Sequence, residues 1–238
     1  MIQLAGMNMK THLLLIILFL LNSHANAQSK CPEKIIVMTS QLPPLTLLKD
    51  GIIQGEVTET VNVLLNNHHL TSEITVLNWA RLLKSAEKGL TEAIYPTLYS
   101  EEREKYLDYS LPAIGKVRLS LYHLNNEKNV NSTFNSELKL DKNTKIATLR
   151  SISLKNSGIN HTKIFRVTNF EQAFKMLEHQ RVDFVYGIQE ITEHYLFVNQ
   201  IKNISLAKTI SEKPIFLALS KSSNKYLKLS QCILNKKD

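Results

Sequence analysis

The stretch from Asn78 to Pro96, NWARLLKSAEKGLTEAIYP, returns in altered form from Asn169 to Gly187, NFEQAFKMLEHQRVDFVYG, and the two segments align without a gap. In each segment an Asn suited to cap a helix precedes an aromatic residue, and apolar residues then recur at helical spacing. An acidic residue, a short apolar run and a Pro or Gly follow, which is typical of a strand and its end. The pattern predicts a helix–strand unit built twice, although few positions are identical and such a unit is common in α/β proteins.

A second, shorter echo lies upstream of each segment. Lys34–Ser40 (KIIVMTS) and Lys145–Ser151 (KIATLRS) both begin with Lys-Ile, continue as a strand pattern and end in polar residues. Together the echoes predict two α/β lobes, and ligands of open α/β sheets bind beyond the carboxyl ends of the strands. Residues at the predicted strand ends are therefore expected to face a cleft shared by the lobes: Thr39, Pro96, Arg150 and Gly187.

The N-terminal segment has the composition of a leader. Lys10 precedes the apolar run Leu13–Leu21, which is too short to span a bilayer, and small residues follow at Ala25 and Ala27. This predicts a signal peptide, residues 1–27, and an exported protein; a retained membrane anchor is the alternative. The candidate start residues are Met1, Met7 and Met9.

The length and charge of the remaining chain limit the classes of partner that it is expected to bind. Cleavage after Ala27 would remove 27 of the 238 residues and leave 211, enough for two small lobes with buried cores. The formal net charge of the whole chain is +8, but the lysines are scattered and no segment resembles a nucleic-acid-binding module. A solvated basic surface is favoured over a membrane-binding patch, and we expect no nucleic-acid partner.

Cys31 and Cys232 are the only cysteines of the chain. In the oxidising compartment that export implies, they are predicted to form a disulfide, which would bring both ends of the mature chain to the same lobe. The eight His residues do not have the spacing of a metal-ligand set, and no CxxC motif occurs. We therefore expect neither a metal nor a cofactor.

Two later segments, Val117–His123 and Ile215–Ser220, are predicted to be strands that cross between the lobes. A short helix is expected near Ser132–Leu138, in the polar stretch between the lobes, and a terminal helix over Lys221–Asp238. The expected domains are a first lobe, residues 28–119 with residues 220–238 returning to it, and a second lobe, residues 120–219.

Motifs between Leu42 and Pro112 add a family resemblance. They occur in this order: Leu42-Pro43-Pro44-Leu45; Lys49-Asp50-Gly51 with Gly55 and Glu59; Trp79-Ala80-Arg81; Ser100-Glu101-Glu102-Arg103; and Asp108-Tyr109-Ser110 with Pro112. By their order and spacing, the chain from about Lys34 to Ser220 resembles the family 3 bacterial solute-binding proteins, the periplasmic receptors of polar amino-acid ABC transporters. The resemblance implies an α/β, two-lobe periplasmic-binding-protein fold (type II-like), in which each lobe is a βαβ-based sheet flanked by helices and two hinge strands join the lobes.

The resemblance also implies a ligand site in the cleft. The family arginine that matches Arg103 binds the carboxylate of the ligand as a bidentate pair beside backbone N–H groups, whereas the alternative is a solvated arginine paired with its glutamate neighbours. Trp79 matches a position whose ring packs against the ligand, and the alternative there is a core residue. The other ligand-binding residues expected are Thr39, Leu42, Pro96 and Leu98 from the first lobe and Arg150, Ser151, Gln189 and Glu190 from the second.

The chain also departs from the family pattern. Family members that bind α-amino acids have a small residue where Pro96 stands, a Thr or Ser where Leu98 stands, and an acid for the ammonium group near Ile188. Gln189 and Glu190 are candidates to replace that acid, but an alternating strand would turn their side chains to opposite sides. The ligand is expected to be a small polar solute, either amino-acid-like or bearing a carboxylate.

Three functions are consistent with these observations. The first is a monomeric periplasmic receptor that serves an ABC transporter permease or a membrane sensor. The second is an enzyme on the same scaffold, a cyclohexadienyl-dehydratase-like lyase in which Glu190 or Glu193 acts as general acid. The third is a degenerate interaction module without a ligand. The receptor is favoured, because no nucleophile–base constellation is present in the sequence.

Overall fold

The computed structural model describes residues 31–32, 34–125, 140–154, 157, 159 and 162–234. The predicted signal peptide and the predicted helix near Ser132–Leu138 lie outside the described residues. By its contacts the chain divides into Met1–Cys31 and Pro32–Asp238, and the description below concerns the second unit. Cys31 and Cys232 are disulfide-bonded, which confirms the predicted pairing.

The described chain alternates strands and helices. Its strands are β1 Lys34–Thr39, β2 Leu47–Lys49, β3 Ile52–Gln54, β4 Thr71–Val76, β5 Ala93–Leu98, β6 Leu107–Asp108, β7 Ala113–Leu124, β8 Lys145–Leu149, β9 Lys163–Val167, β10 Phe184–Ile188 and β11 Ile204–Ser220. Its helices are α1 Glu56–Asn67, α2 Trp79–Glu87, α3 Glu101–Glu104, α4 Phe170–Glu178, α5 Gln189–Val198 and α6 Tyr226–Leu234.

Nine of these strands form one sheet in the order β4-β1-β5-β11-β7-β10-β8-β9, with β6 paired to β11, while β2 and β3 form a separate hairpin. In the first half β1 is parallel to β4 and β5, and in the second half β8 is parallel to β9 and β10. The long strands β7 and β11 run antiparallel to each other between the halves. The predicted α/β arrangement, two parallel units joined by two strands, is confirmed.

The two halves repeat each other in local hydrogen bonding as well as in order. The Oδ1 atom of Asn78 accepts from the Arg81 N–H at 3.0 Å, and that of Asn169 accepts from the Gln172 N–H at 2.8 Å. Each bond satisfies an N–H group that the first turn of a helix leaves without an intrahelical partner. The predicted caps therefore start α2 and α4 at the two aromatic residues, Trp79 and Phe170.

An acidic residue ties each helix–strand unit to its neighbouring strand in the same way. The Glu92 N–H donates to the Ile36 carbonyl at 3.0 Å, and the Glu92 carboxylate accepts from the Ile36 N–H. In the second half the Asp183 N–H donates to the Lys145 carbonyl at 2.8 Å, and the Asp183 carboxylate accepts from the Lys145 N–H at 2.7 Å. These reciprocal bonds extend the pairing of β1 with β5 in the first half, and of β8 with β10 in the second half, by one residue.

Buried apolar side chains fill the space between the sheet and its helices. In the first half α2 packs on β5 and β11 through Leu82, Ala86, Ile94, Leu107 and Ala218. In the second half α4 and α5 pack on the sheet through a larger cluster that includes Phe174, Leu177, Val185 and Leu196. Each fully buried side chain of this size stabilises the fold by about 1.5–3 kcal/mol relative to exposure, so these clusters hold the helices on the sheet.

Gly55 precedes α1 with a φ of 121°, a backbone conformation that side-chain-bearing residues rarely adopt. A Cβ at this position would lie 2.5 Å from the Leu45 carbonyl oxygen. The glycine of the motif Lys49-Asp50-Gly51…Gly55 is therefore required by the close approach of the preceding loop.

Three elements differ from the sequence-based expectation. The strand expected over Ile215–Ser220 begins at Ile204, because the charged stretch before Pro214 also pairs with the backbone of β7. Two register shifts within that stretch interrupt the alternation of apolar residues by which a strand is recognised in the sequence. The alternating strand expected at Gln189 and Glu190 is wrong, since β10 ends at Ile188 and α5 begins at Gln189. The terminal helix begins at Tyr226 rather than Lys221, after a turn.

Candidate functional site

Arg103 is the candidate carboxylate-binding residue, and Trp79 holds its guanidinium in place. The guanidinium carbon lies 5.1 Å from the centre of the Trp79 ring, within the range of a cation–π contact. Nη1 donates to the Leu98 carbonyl at 3.5 Å. Within the described part of the chain we find no ion pair between Arg103 and a carboxylate. The guanidinium is thus positioned by the Trp79 ring and the Leu98 carbonyl.

The Trp79 ring has two roles in this arrangement. It packs against the buried cluster of α2 and β5, as the core interpretation predicts, and it also faces the Arg103 guanidinium. Trp79 does not line the cavity described next. Its position therefore supports Arg103 rather than covering the cavity directly.

A cavity of about 1040 Å³ lies beside Arg103, where the two halves of the sheet meet. Its walls come from the segment between β5 and β7, from β7 and β11 themselves, and from the segment after β8. The lining residues are Leu98, Tyr99, Ser100, Glu101, Glu102, Arg103, Glu104, Lys105, Asp108, Tyr109, Ser110, Leu119, Ser151, Ser153, Lys213, Pro214 and Phe216. Of the ligand-binding residues expected from the sequence, Leu98, Arg103 and Ser151 are in this set.

Three aromatic rings follow one another along a wall of the cavity. Tyr99 and Tyr109 meet edge to face with their centres 5.3 Å apart, and Tyr109 meets Phe216 in the same manner at 5.6 Å. The Tyr109 hydroxyl donates to the Leu98 carbonyl at 3.3 Å, and burial raises the pKa of Tyr109 above its ordinary value. Sequence analysis did not single out these rings as site residues. The one available hint was Tyr109 in the motif Asp108-Tyr109-Ser110.

Two of the cavity carboxylates already have hydrogen-bond partners. Glu104 accepts from the Tyr99 hydroxyl at 2.7 Å, and this bond to a carboxylate raises the pKa of Tyr99. Asp108 accepts from the Ser110 N–H at 2.9 Å and from the Tyr226 hydroxyl of α6 at 3.0 Å. Glu104 and Asp108 therefore fix the walls of the cavity, and the tie to Tyr226 attaches the C-terminal helix to the first half of the sheet.

The other expected site residues do not line this cavity. Thr39 is buried at the end of β1, Pro96 is buried within β5, Leu42 pairs with Thr46 in a tight loop, and Arg150 is exposed directly after β8. Thr39 thus lies at a strand end, as expected, whereas the strand end expected at Pro96 is wrong because β5 continues to Leu98, and both side chains are enclosed in the fold.

Gln189 is part of a buried polar network at the joining strands. Its Oε1 atom accepts from the Ser120 hydroxyl at 2.8 Å and from the Thr209 hydroxyl at 3.0 Å, and its Nε2 atom donates to Glu193 at 2.8 Å. These bonds link β7, β11 and the start of α5. Both the oxygen and the nitrogen of the Gln189 amide thus bond to protein groups, and Gln189 stabilises the junction of the two halves.

Glu190 is also engaged by the protein. Its carboxylate lies 3.0 Å from the Arg118 Nε atom and accepts from the Arg118 backbone N–H at 3.2 Å. Neither Glu190 nor Glu193, the two candidates for a general acid, lines the cavity. The geometry thus offers no support for the enzyme hypothesis at these residues.

Comparison with known proteins places the fold. No family model and no curated protein matches the chain. Solved structures do match. The arginine-bound form of truncated ArgBP from T. maritima is 16% identical, with 87% of this chain and 97% of that chain covered and a TM-score of 0.62.

Two further structures have similar statistics. The substrate-binding protein of an amino acid ABC transporter is 18% identical over 86% of this chain and 93% of that chain, with a TM-score of 0.61. A histidine kinase sensor domain with similarity to periplasmic binding proteins is 13% identical over 85% of this chain and 89% of that chain, with a TM-score of 0.63.

In the described residues, no helix is both long enough and apolar enough to cross a membrane.

The topology and these likenesses agree with the resemblance found in the sequence: the chain has the α/β two-lobe fold of the periplasmic binding proteins.

Proposed function

We propose that this protein is an exported solute-binding protein that captures a small, carboxylate-bearing polar solute between two lobes. One observation carries the proposal: a cavity of about 1040 Å³ is lined from both halves of the sheet and includes Arg103, whose guanidinium forms no ion pair with a carboxylate among the described residues. Ligand pockets of roughly this size bury most of the surface of a small molecule. A cavity between two parallel units joined by two strands also suits hinge closure around a ligand.

The proposed lobes are residues 28–119 with 220–238, and residues 120–219. The antiparallel strands β7 and β11 would form the hinge, because they lie between the two parallel units in the order of the sheet. Hydrogen bonds of the C-terminal segment support its assignment to the first lobe, since Tyr226 bonds to Asp108 and Ser223 bonds to Glu92.

In the proposed complex Arg103 holds the acidic group of the solute. The ring of Trp79 fixes the guanidinium, whose planar set of donors matches a carboxylate. The hydroxyl of Ser151 would close on the solute from the second lobe. Arg150, exposed and adjacent in the chain, would move with the same segment and supply a further charge.

We also propose that the protein works in the periplasm as a monomer, after removal of residues 1–27. A substrate-binding protein of a transporter and a sensor domain are among the proteins with similar structures. The partner of the loaded form would accordingly be an ABC transporter permease or a membrane sensor.

A thermal-shift screen of amino acids, small carboxylates and polyamines on the mature protein tests this function. At least one carboxylate-bearing solute should raise the melting temperature in a concentration-dependent way, because a ligand that binds the folded state stabilises it by mass action. If no solute in the screen stabilises the protein, the receptor proposal is refuted and an interaction module without a ligand is favoured. Stabilisation by polyamines alone would refute the role of Arg103 as the carboxylate contact.

A further inference from the structure

The aromatic wall, defined as Tyr99, Tyr109 and Phe216, has no role in the site expected from the sequence. We propose that this wall binds a flat apolar ring, so that the solute is an acid that carries an aromatic or similar ring. This inference rests on the proposed function, because it specifies the solute class of the same cavity. It goes beyond that function by assigning specificity to three residues.

The three rings of the wall contact one another in sequence, from Tyr99 through Tyr109 to Phe216 on β11, and all three line the cavity. Tyr99, at the rim, is 48% exposed, whereas Phe216 is half-buried on β11. Edge-to-face packing fixes each ring against the next, at 5.3 Å and 5.6 Å between centres. Rings held in this way present a rigid surface. Binding of a ligand to this surface costs little conformational entropy, because the side chains are already ordered.

The polar ends of the two tyrosines point to fixed partners. The Tyr99 hydroxyl donates to Glu104 at 2.7 Å, and the Tyr109 hydroxyl donates to the Leu98 carbonyl at 3.3 Å. Since both hydroxyls already have acceptors, the rings contribute mainly their apolar surface to the cavity. Further apolar residues adjoin them in the lining: Leu98, Leu119 and Pro214.

The wall and the Arg103 guanidinium are held by the same atom. The Leu98 carbonyl oxygen accepts both from the Tyr109 hydroxyl at 3.3 Å and from Arg103 Nη1 at 3.5 Å. A charged donor and an aromatic surface therefore adjoin the same backbone carbonyl. Because Trp79 is covered by the guanidinium, the wall is the aromatic surface that faces the cavity.

Pairs of solutes that differ only in the ring test this inference. Calorimetry on the mature protein with its disulfide intact would compare 3-phenylpropanoate with propanoate, and L-phenylalanine with L-alanine. The ring-bearing member of at least one pair should bind about tenfold or more tightly, which is the expected effect of burying an apolar ring. Equal affinity within both pairs, or tighter binding of a polar amino acid from the broad screen, would overturn the aromatic assignment while leaving the receptor proposal standing.

Variants connect the preference to the wall. Phe216→Ala and Tyr99→Ala should each remove most of the ring preference, and Tyr99→Phe should retain it because the ring remains. Phe197→Ala is the matched control, since Phe197 is 83% exposed on α5 and does not line the cavity. If Phe216→Ala fails to fold, Tyr99→Ala still decides, because Tyr99 is exposed at the rim. A ring preference that persists in both variants would overturn the inference.

The two proposals fail in different ways. If none of the four solutes binds while another carboxylate in the broad screen does, the aromatic assignment is wrong and the receptor function holds. If the broad screen is also empty, the receptor function itself is refuted and the inference with it.

Discussion

Replacing Arg103 with alanine tests the proposed carboxylate contact directly. The guanidinium is half-buried, lies 5.1 Å from the centre of the Trp79 ring and has no carboxylate partner in the described part of the chain. In the described residues its one side-chain hydrogen bond is to the Leu98 carbonyl, at 3.5 Å, and a guanidinium has five N–H donors in all. Loss of Arg103 should therefore affect solute binding more than folding.

The expected magnitude follows from the type of contact. A hydrogen bond to a charged group contributes about 1.5–3 kcal/mol, so removing a bidentate contact should weaken binding by about 2 kcal/mol or more. This corresponds to a rise in Kd of roughly 30-fold. Arg103→Lys should recover only part of the loss, because an ammonium group cannot reproduce the planar pair of donors.

Isothermal titration calorimetry with a solute identified in the screen provides the assay. Arg81→Ala is the matched control: it removes the same charge from an exposed position on α2 that does not line the cavity. We expect a Kd close to that of the unchanged protein for this control. An unchanged Kd in Arg103→Ala, with the circular dichroism spectrum intact, would refute the assignment of Arg103 to the acidic group.

Three further predictions concern the fold and the mature chain. Glu92→Ala should lower the free energy of unfolding, measured in urea, by about 1–3 kcal/mol, because the Ile36 N–H loses its acceptor. Asp183 has the corresponding position in the second half but is more exposed, so Asp183→Ala should lower the free energy of unfolding by less. Equal losses in the two variants would contradict this prediction. Cys232→Ser should lower the melting temperature, since a cross-link over so long a loop constrains the unfolded chain by up to about 5 kcal/mol, and an unchanged value would show that the bond contributes nothing. Mass spectrometry of the exported protein should give Gln28 as its first residue, and a protein that retains Leu13–Leu21 would refute the predicted cleavage.

Local elements of this fold were predictable because short-range interactions specify them. Asn78 and Asn169 each accept from a backbone N–H three residues later, so the caps depend only on nearby sequence. The apolar spacing after each cap likewise predicted α2 and α4, and the disulfide followed from there being only two cysteines in an exported chain.

Elements stabilised by distant partners were not predictable in the same way. α5 buries Gln189 and Thr192 along with Ile191 and Leu196, so its apolar period is weak and the sequence suggested a strand at its start. The first part of β11 is polar and irregular, and it is a strand because β7 supplies hydrogen-bond partners along its length.

The candidate site divides along the same line. The sequence by itself predicted Arg103 as a candidate binding residue, through the motif in which it occurs, as well as the two α/β units of the sheet. Only the tertiary structure brought Arg103 onto Trp79, enclosed Gln189 in a network with Ser120, and aligned the aromatic wall of Tyr99, Tyr109 and Phe216. The physical reason is that these contacts depend on the packing of elements distant in the chain, such as β11 with β5 and β7, whose paired residues lie 80 to 126 positions apart, and no local pattern encodes which side chains meet there.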